Sequence, residues 1–154
     1  MKTHLFLALS VAVSLGIYAA EPTALSVWAP PPLAKVLRDA VPPSEGPGPL
    51  IIEGARNETA SAQAAVRPAA DVAAARASIS DLVHRKTGAV IPASAVTLQW
   101  ERYIAIDRNT TGIPGDELVA TAPNSIPDPF WEAATIPLQA GETRTAQITC
   151  EAGG

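Results

Sequence analysis

The sequence predicts an all-β fold: an antiparallel β-sandwich of immunoglobulin-like or jelly-roll-like type. Two observations carry that expectation. Six or seven short segments alternate apolar with polar residues or are dense in β-branched and aromatic ones. Pro and Gly separate them, with Pro (15) outnumbering Gly (10). Length limits the count to one domain, since 154 residues match a single ordinary core. An N-terminal signal helix and at most one short helix complete the expected elements.

The segments follow in order. Thr23 to Trp28 is a short strand ending at Ala29-Pro30-Pro31-Pro32. That run and the stretch Pro42 to Pro49 read as connector, because Pro fixes φ and removes a ladder donor. Leu33, Val36 and Leu37 between them are apolar enough to pack. Leu50-Ile51-Ile52 is an apolar triplet read as a strand. From Thr59 to Arg67, Ala60, Ala62, Ala64 and Val66 alternate with Thr59, Ser61, Gln63 and Arg67, the pattern of a half-buried strand. Ala69 to Ala77 is Ala-rich and reads as a short helix capped by Asp71, or as an Ala-rich strand. Ala77, Ile79 and Leu82 suggest another short strand. The clearest strand is Val96 to Asp107, where Val96, Leu98, Trp100, Ile104 and Ile106 share one parity, broken by Arg102. In the last, Thr143 to Cys150, the threonines and Gln147 form one face and Ala146, Ile148 and Cys150 the other.

The N-terminus reads as an export signal. Lys2 and His4 precede the apolar run Leu5 to Ile17, which ends in small residues, with a cleavage site after Ala19 or Ala20. The run is shorter than the roughly 20 residues that span a bilayer. The expected division is residues 1–20 as signal peptide, 21–49 as N-terminal strand and Pro-rich connector, and 50–154 as β-sandwich, incomplete at its C-terminus. The expected location is secreted or periplasmic. Without Lys2, 10 basic residues face 15 acidic ones, a net charge of −5. Nucleic acid and, after signal cleavage, membrane surfaces are therefore poor partners. A single Cys, Cys150, allows no internal disulfide.

Candidate chemistry is sparse. Beyond His4, the one histidine is His84, among charges just before Gly88, which reads as a solvated turn. One His and one Cys fall short of a zinc site. Asp116-Glu117 reads as an exposed acidic loop. Asp107-Arg108-Asn109-Thr110-Thr111-Gly112 echoes half of a calcium loop, but the position that needs a bidentate Glu falls on Leu118. No cofactor is expected beyond that weak echo of structural calcium. Asn57-Glu58-Thr59 and Asn109-Thr110-Thr111 fit the N-glycosylation pattern. Of Trp28, Trp100 and Trp131, only Trp131 lies in a predicted loop, where its ring could stack on a sugar.

An ordered series of segments carries more than any one of them. Ile51-Ile52-Glu53-Gly54-Ala55-Arg56-Asn57-Glu58 leads into the strand ending Val66-Arg67-Pro68. Ile79-Ser80-Asp81-Leu82, Ile91 to Val96 and Arg102-Tyr103-Ile104-Ala105-Ile106 follow. Ile126-Pro127-Asp128-Pro129 and Leu138-Gln139-Ala140-Gly141-Glu142-Thr143 close the series. From about Leu25 to Cys150 it resembles the N-terminal β-sandwich of glycoside hydrolase family 123-like proteins. The chain departs from that pattern at Gln147, where such proteins usually carry a Trp nearby, and at its end, where a closing hairpin would follow.

The resemblance implies hydrolysis of hexosaminides by whole members, through an acidic pair on a downstream barrel. That pair has no counterpart here, so no catalytic residue is carried over. It implies a non-catalytic accessory domain, present as a fragment, whose partner is the downstream catalytic barrel of the parent chain. Trp131, Asp128 and Asp116 are the candidate glycan or interdomain contacts. The alternative is a stand-alone secreted module for a glycan or a protein, with Trp131 and the Asp107 to Glu117 loop as its site. A missing hairpin predicts an unpaired sheet edge and marginal stability.

Overall fold

The computed structural model describes residues 11–12, 24–46, 48–55, 57–84 and 86–151. They form eleven strands: β1 Val11–Ala12, β2 Leu25–Trp28, β3 Thr59–Pro68, β4 Val72–Ala75, β5 Ser78–Ile79, β6 Leu82–Val83, β7 Val90–Ile91, β8 Val96–Ile106, β9 Asn124–Trp131, β10 Ile136–Leu138 and β11 Arg144–Glu151. Two single 3-10 turns, Ala93–Ala95 and Gly115–Glu117, are the only helical pieces among the described residues. Every pairing is antiparallel. The frame is a five-stranded sheet in the order β2-β3-β11-β8-β9, joined by the pairs β1-β5, β4-β10 and β6-β7. The all-β expectation holds.

Side chains on alternate positions of β3, β8 and β11 point to opposite faces. On the first face, Ala62 and Ala64 of β3, Val96 of β8, and Ile148 and Cys150 of β11 meet Leu50, Ile52 and Leu82. Further along it, Val66, Trp100 and Ala146 meet Ala75 of β4 and Ile136 and Leu138 of β10. The short pairs β4-β10 and β6-β7 are thus the second layer over that face. The Ala residues of β3 let this layer approach closely, and the volume comes from Ile136, Leu138 and Ile148, none more than 2% exposed.

The opposite face is covered by the Pro-rich connector. Ala65 packs with Trp28 and Val36. Gln63 Nε2 donates to the carbonyl oxygens of Pro31 (2.7 Å) and Ala34 (2.8 Å). Tyr103 OH donates to the Val36 carbonyl at 2.6 Å. Thr143 donates through its amide to Arg38 O (2.8 Å) and through Oγ1 to Ala40 O (2.6 Å). Arg67 Nη1 reaches Ala40 O at 3.0 Å. Pro-rich backbone cannot join a ladder, so its carbonyls need side-chain donors, and β3, β8 and the start of β11 supply them. This is why Gln63 and Thr143 are buried although they lie on the polar faces of their strands; Thr145, also buried, donates to Glu101 instead.

Several sequence expectations change. Of the two readings of Ala69 to Ala77, the Ala-rich strand holds and the short helix does not: it contains β4, and Asp71 accepts from the Ala140 amide at 2.7 Å. Pairing with β10 outweighs the helix preference of Ala there. Leu50 and Ile52 are buried but belong to no strand. Pro127-Asp128-Pro129 lies within β9, where Asp128 and Pro129 oppose Arg102 in a bulge. An edge strand at a bulge is where Pro is tolerated. Ile104 and Ile106, assigned to the core by parity, are 41% and 38% exposed, because β11 pairs with β8 only as far as Trp100. The expected signal helix covers residues 1–20, which lie outside the described residues except Val11–Ala12, a strand paired with Ser78–Ile79. Among the described residues β11 is paired on both sides, and the open edges are β2 and β9, not the last strand.

Gly141 sits in the turn before β11 with φ +69°, and its amide donates to Pro68 O at 2.8 Å. A Cβ there would meet nothing closer than the Arg67 guanidinium at 3.8 Å. Gly141→Ala therefore has a conformational cost and no steric one. It should lower stability by about 1 kcal/mol and the melting midpoint by about 4 °C in a calorimetric scan.

Candidate functional site

The buried ionic groups centre on Tyr103. Burial leaves this residue 7% exposed. The guanidinium carbons of Arg38 and Arg144 lie 5.2 and 5.1 Å from its ring centroid. Glu142 Oε2 pairs with both, at 3.2 Å to Arg38 Nη1 and 3.6 Å to Arg144 Nη2. Nearby, Thr145 Oγ1 donates to Glu101 Oε2 at 2.6 Å. These contacts bind the connector to the sheet, which is a structural task.

Burial raises the Tyr103 pKa above 10, with the Glu101 charge adding to it and Thr145 and the two arginines opposing it. Burial likewise raises that of the Cys150 thiol. Groups with raised folded-state pKa values contribute stability that is complete below their unfolded values and lost as pH rises through the folded ones. Stability should therefore be flat near neutrality and fall from about pH 9 upward, more steeply above about pH 10. Urea midpoints measured from pH 7 to 11 check this, and Tyr103→Phe should flatten the upper part of the fall.

Next to this cluster lies a groove of about 410 Å³, lined by Arg38, Asp39, Ala105, Ile106, Asp107, Pro123, Asn124 and Ser125. Ala105 and Ser125 are direct cross-strand partners, so two small side chains face each other across the β8-β9 ribbon. The Asn124 carboxamide oxygen accepts from the Ser125 amide at 2.8 Å, which orients it. Of these residues, only Asp107 belonged to a site considered from sequence. The others are far apart in the chain, and only the pairing of β8 with β9 and the seating of the connector unite them.

The three residues singled out from sequence do not converge. Trp131 ends β9, opposite Trp100, and is 37% exposed. It is therefore a strand residue, not a loop residue. Asp128 sits at the bulge and pairs with Lys35 Nζ at 3.2 Å. Asp116 is in the exposed turn Gly115–Glu117, in the loop that enters β9 at Asn124. The two ends of β9 are separated by about 23 Å, from seven steps of roughly 3.3 Å. Trp131 thus lies at one end of the strand, and the 107–123 loop attaches at the other. Phe130, 46% exposed, neighbours Trp131 but points to the other face.

The remaining candidates are turn residues. His84 Nδ1 lies 2.7 Å from Thr87 Oγ1 and accepts from the Thr87 amide at 3.1 Å, inside the β6-β7 turn. Asn57 has φ +63° before β3, and Glu58 Oε2 accepts from the Ala55 amide at 2.6 Å. Asn109 Oδ1 accepts from the Ala122 amide at 2.6 Å, so the calcium echo and the second glycosylation pattern share a carboxamide engaged in closing the loop. Among the described residues, no three His, Cys, Asp or Glu side chains gather as metal ligands would.

No family model matches the chain, and no curated protein matches it. Among solved structures, the chain is similar to a family 123 glycoside hydrolase from Clostridium perfringens studied for glycolipid glycan hydrolysis. The identity is 15% and the TM-score 0.47, over 64% of this chain and 16% of that one. The likeness is weak, and this chain spans about a sixth of that protein's length.

Proposed function

We propose that the chain is the non-catalytic accessory β-sandwich of an exported glycoside hydrolase-like protein acting on hexosaminide-containing glycans. The observation that carries this reading is how the side chains are used. The buried polar groups bind the chain's own connector, while Ile104, Ile106, Phe130 and Trp131 stay at least one-third exposed on β8 and β9, at one edge of the sheet. An edge of that kind suits packing against a second domain. The ordered segments that resemble family 123-like proteins supply the identity of that domain, a catalytic barrel. Trp131 is its contact on one face of this edge strand, with Phe130 on the other; Asp116, at the far end of β9, and Asp128, paired with Lys35, stand apart from it.

The coding DNA is expected to continue in frame past codon 154 into a barrel. A stop codon there in well-covered native DNA would overturn this reading. The purified chain should leave aryl N-acetylhexosaminides intact, and turnover above background would show it to be an enzyme. Export is checked by N-terminal sequencing, where a mature product starting at Ala20 or Glu21 is expected. The exposure of Trp131 favours one other reading, a stand-alone binding module. Glycan-array binding that disappears in Trp131→Ala would select it.

A further inference from the structure

We propose that the apolar N-terminal segment, residues 7–17, docks as a strand on the β5 edge of the second layer, so that a chain that folds before export covers its own export segment. Two independent observations carry this. The first is the pairing itself: Val11–Ala12 runs antiparallel to Ser78–Ile79, with Val11 opposite Ile79 and Ala12 opposite Ser78. The second is in the sequence. Leu7, Leu9, Val11, Val13, Leu15 and Ile17 are all large aliphatics, while Ala8, Ser10, Ala12, Ser14 and Gly16 between them are all small. Strict alternation is the period of a strand with one apolar face. An export segment needs only hydrophobicity, and wound as a helix this one would scatter its aliphatics round the whole circumference.

The register sorts the two faces. Directly opposed residues of an antiparallel pair share a face. Ile79 packs against the cluster that holds Leu50, Leu82 and Ile148. Continued by two residues, the register sets Val13 opposite Ala77, which packs against the cluster that holds Trp100 and Ile136. The large side of the segment thus falls on the core side of β5. Ala12 and Ser14 fall opposite Ser78 and the exposed Arg76. A cleft of about 180 Å³ opens beside Ala77, with Leu98, Trp100 and three further alanines among its lining residues, and leaves room for an added strand. A segment docked this way has its backbone groups paired and its aliphatic face covered. Cleavage after Ala19 or Ala20 would remove the strand and open the β5 edge. The docking does not rest on the accessory-domain reading.

The test is hydrogen exchange, read by mass spectrometry, on the full chain synthesised without membranes. Amides of residues 11–13 and 77–79 should exchange at least about tenfold more slowly than in an unstructured chain. Val11→Asp with Val13→Asp puts two charges on the core side and should abolish that protection. Ala12→Asp with Ser14→Asp should keep it, because the new carboxylates lie on the side of Ser78 and Arg76. Both pairs add the same charge, so a segment that is merely hydrophobic would respond alike to them. Three results would overturn the docking: residues 11–13 exchanging at unstructured rates in the unaltered full chain, equal effects of the two pairs, or aggregation of the unaltered chain that Val11→Asp with Val13→Asp relieves. Export is judged separately by N-terminal sequencing. An unprocessed N-terminus would sink the export reading and leave the docking standing; a cleaved product with an unprotected full chain would do the reverse.

Discussion

Trp100→Ala is expected to destabilise the protein by about 3–5 kcal/mol. Trp100 is 4% exposed and stands at the junction of three strands, paired with Ala146 of β11 and Trp131 of β9. It packs in the same cluster as Val66, Ala75, Ile136 and Leu138. Two of its neighbours are alanines on paired strands, which cannot reach into the space an indole leaves. The cavity should therefore persist, and the cost should sit at the upper end for a large-to-small change. Domains of this size are stable by only about 5–15 kcal/mol, so the variant would lose from about a fifth of its stability to nearly all of it. Urea unfolding followed by circular dichroism measures the loss, provided the slope is unchanged. Trp131→Ala is the control, since that ring is partly exposed and should cost under about 1.5 kcal/mol. Equal losses for the two variants, or a loss under about 1 kcal/mol at Trp100, would contradict this account of the core.

The strands visible in the sequence are those whose two faces differ. β8 was legible from Val96, Leu98 and Trp100, and β3 and β11 from alternation with Thr, Ser and Gln. Alternation reports that two environments differ, not what they are. Gln63 and Thr145 looked like residues facing water, yet they face the connector and Glu101. β9 was hidden because Pro127 and Pro129 argue for a loop, and only its edge position and bulge make them compatible with pairing. β4 was open to two readings, strand or short helix, because an Ala run has no face to show. The apolar residues of the connector marked it correctly as able to pack, but only Val36 does so fully, while Leu33 is 95% exposed. The groove was illegible for another reason: Arg38, Ala105 and Asn124 meet only through tertiary contacts, and no short motif records them.

Gln63→Ala is expected to cost about 2–4 kcal/mol and to loosen the connector before the sheet. Gln63 is 2% exposed at the centre of β3, paired with Gln147 of β11. Its amide nitrogen holds two connector carbonyls at 2.7 and 2.8 Å. Truncation removes both donors and leaves a gap beneath residues 31–36. Tyr103 and Thr143 would still hold Val36 and Ala40, so the connector should open first near Pro31 and Ala34. Hydrogen exchange separates this from a general loss: amides near residue 34 should exchange faster, while those of β3 follow global unfolding. Gln63→Glu sharpens the test. It places a carboxylate against two carbonyl oxygens, which raises the folded-state pKa of the new group. Its contribution is then fully present below the unfolded value of about 4.3 and is lost as pH rises through the folded value. Relative to Gln63→Ala, this variant should be the weaker one at pH 7 and recover on acidification, as the protonated acid regains one donor. Identical pH profiles for the two variants would mean that Gln63 fills space over the connector without binding it.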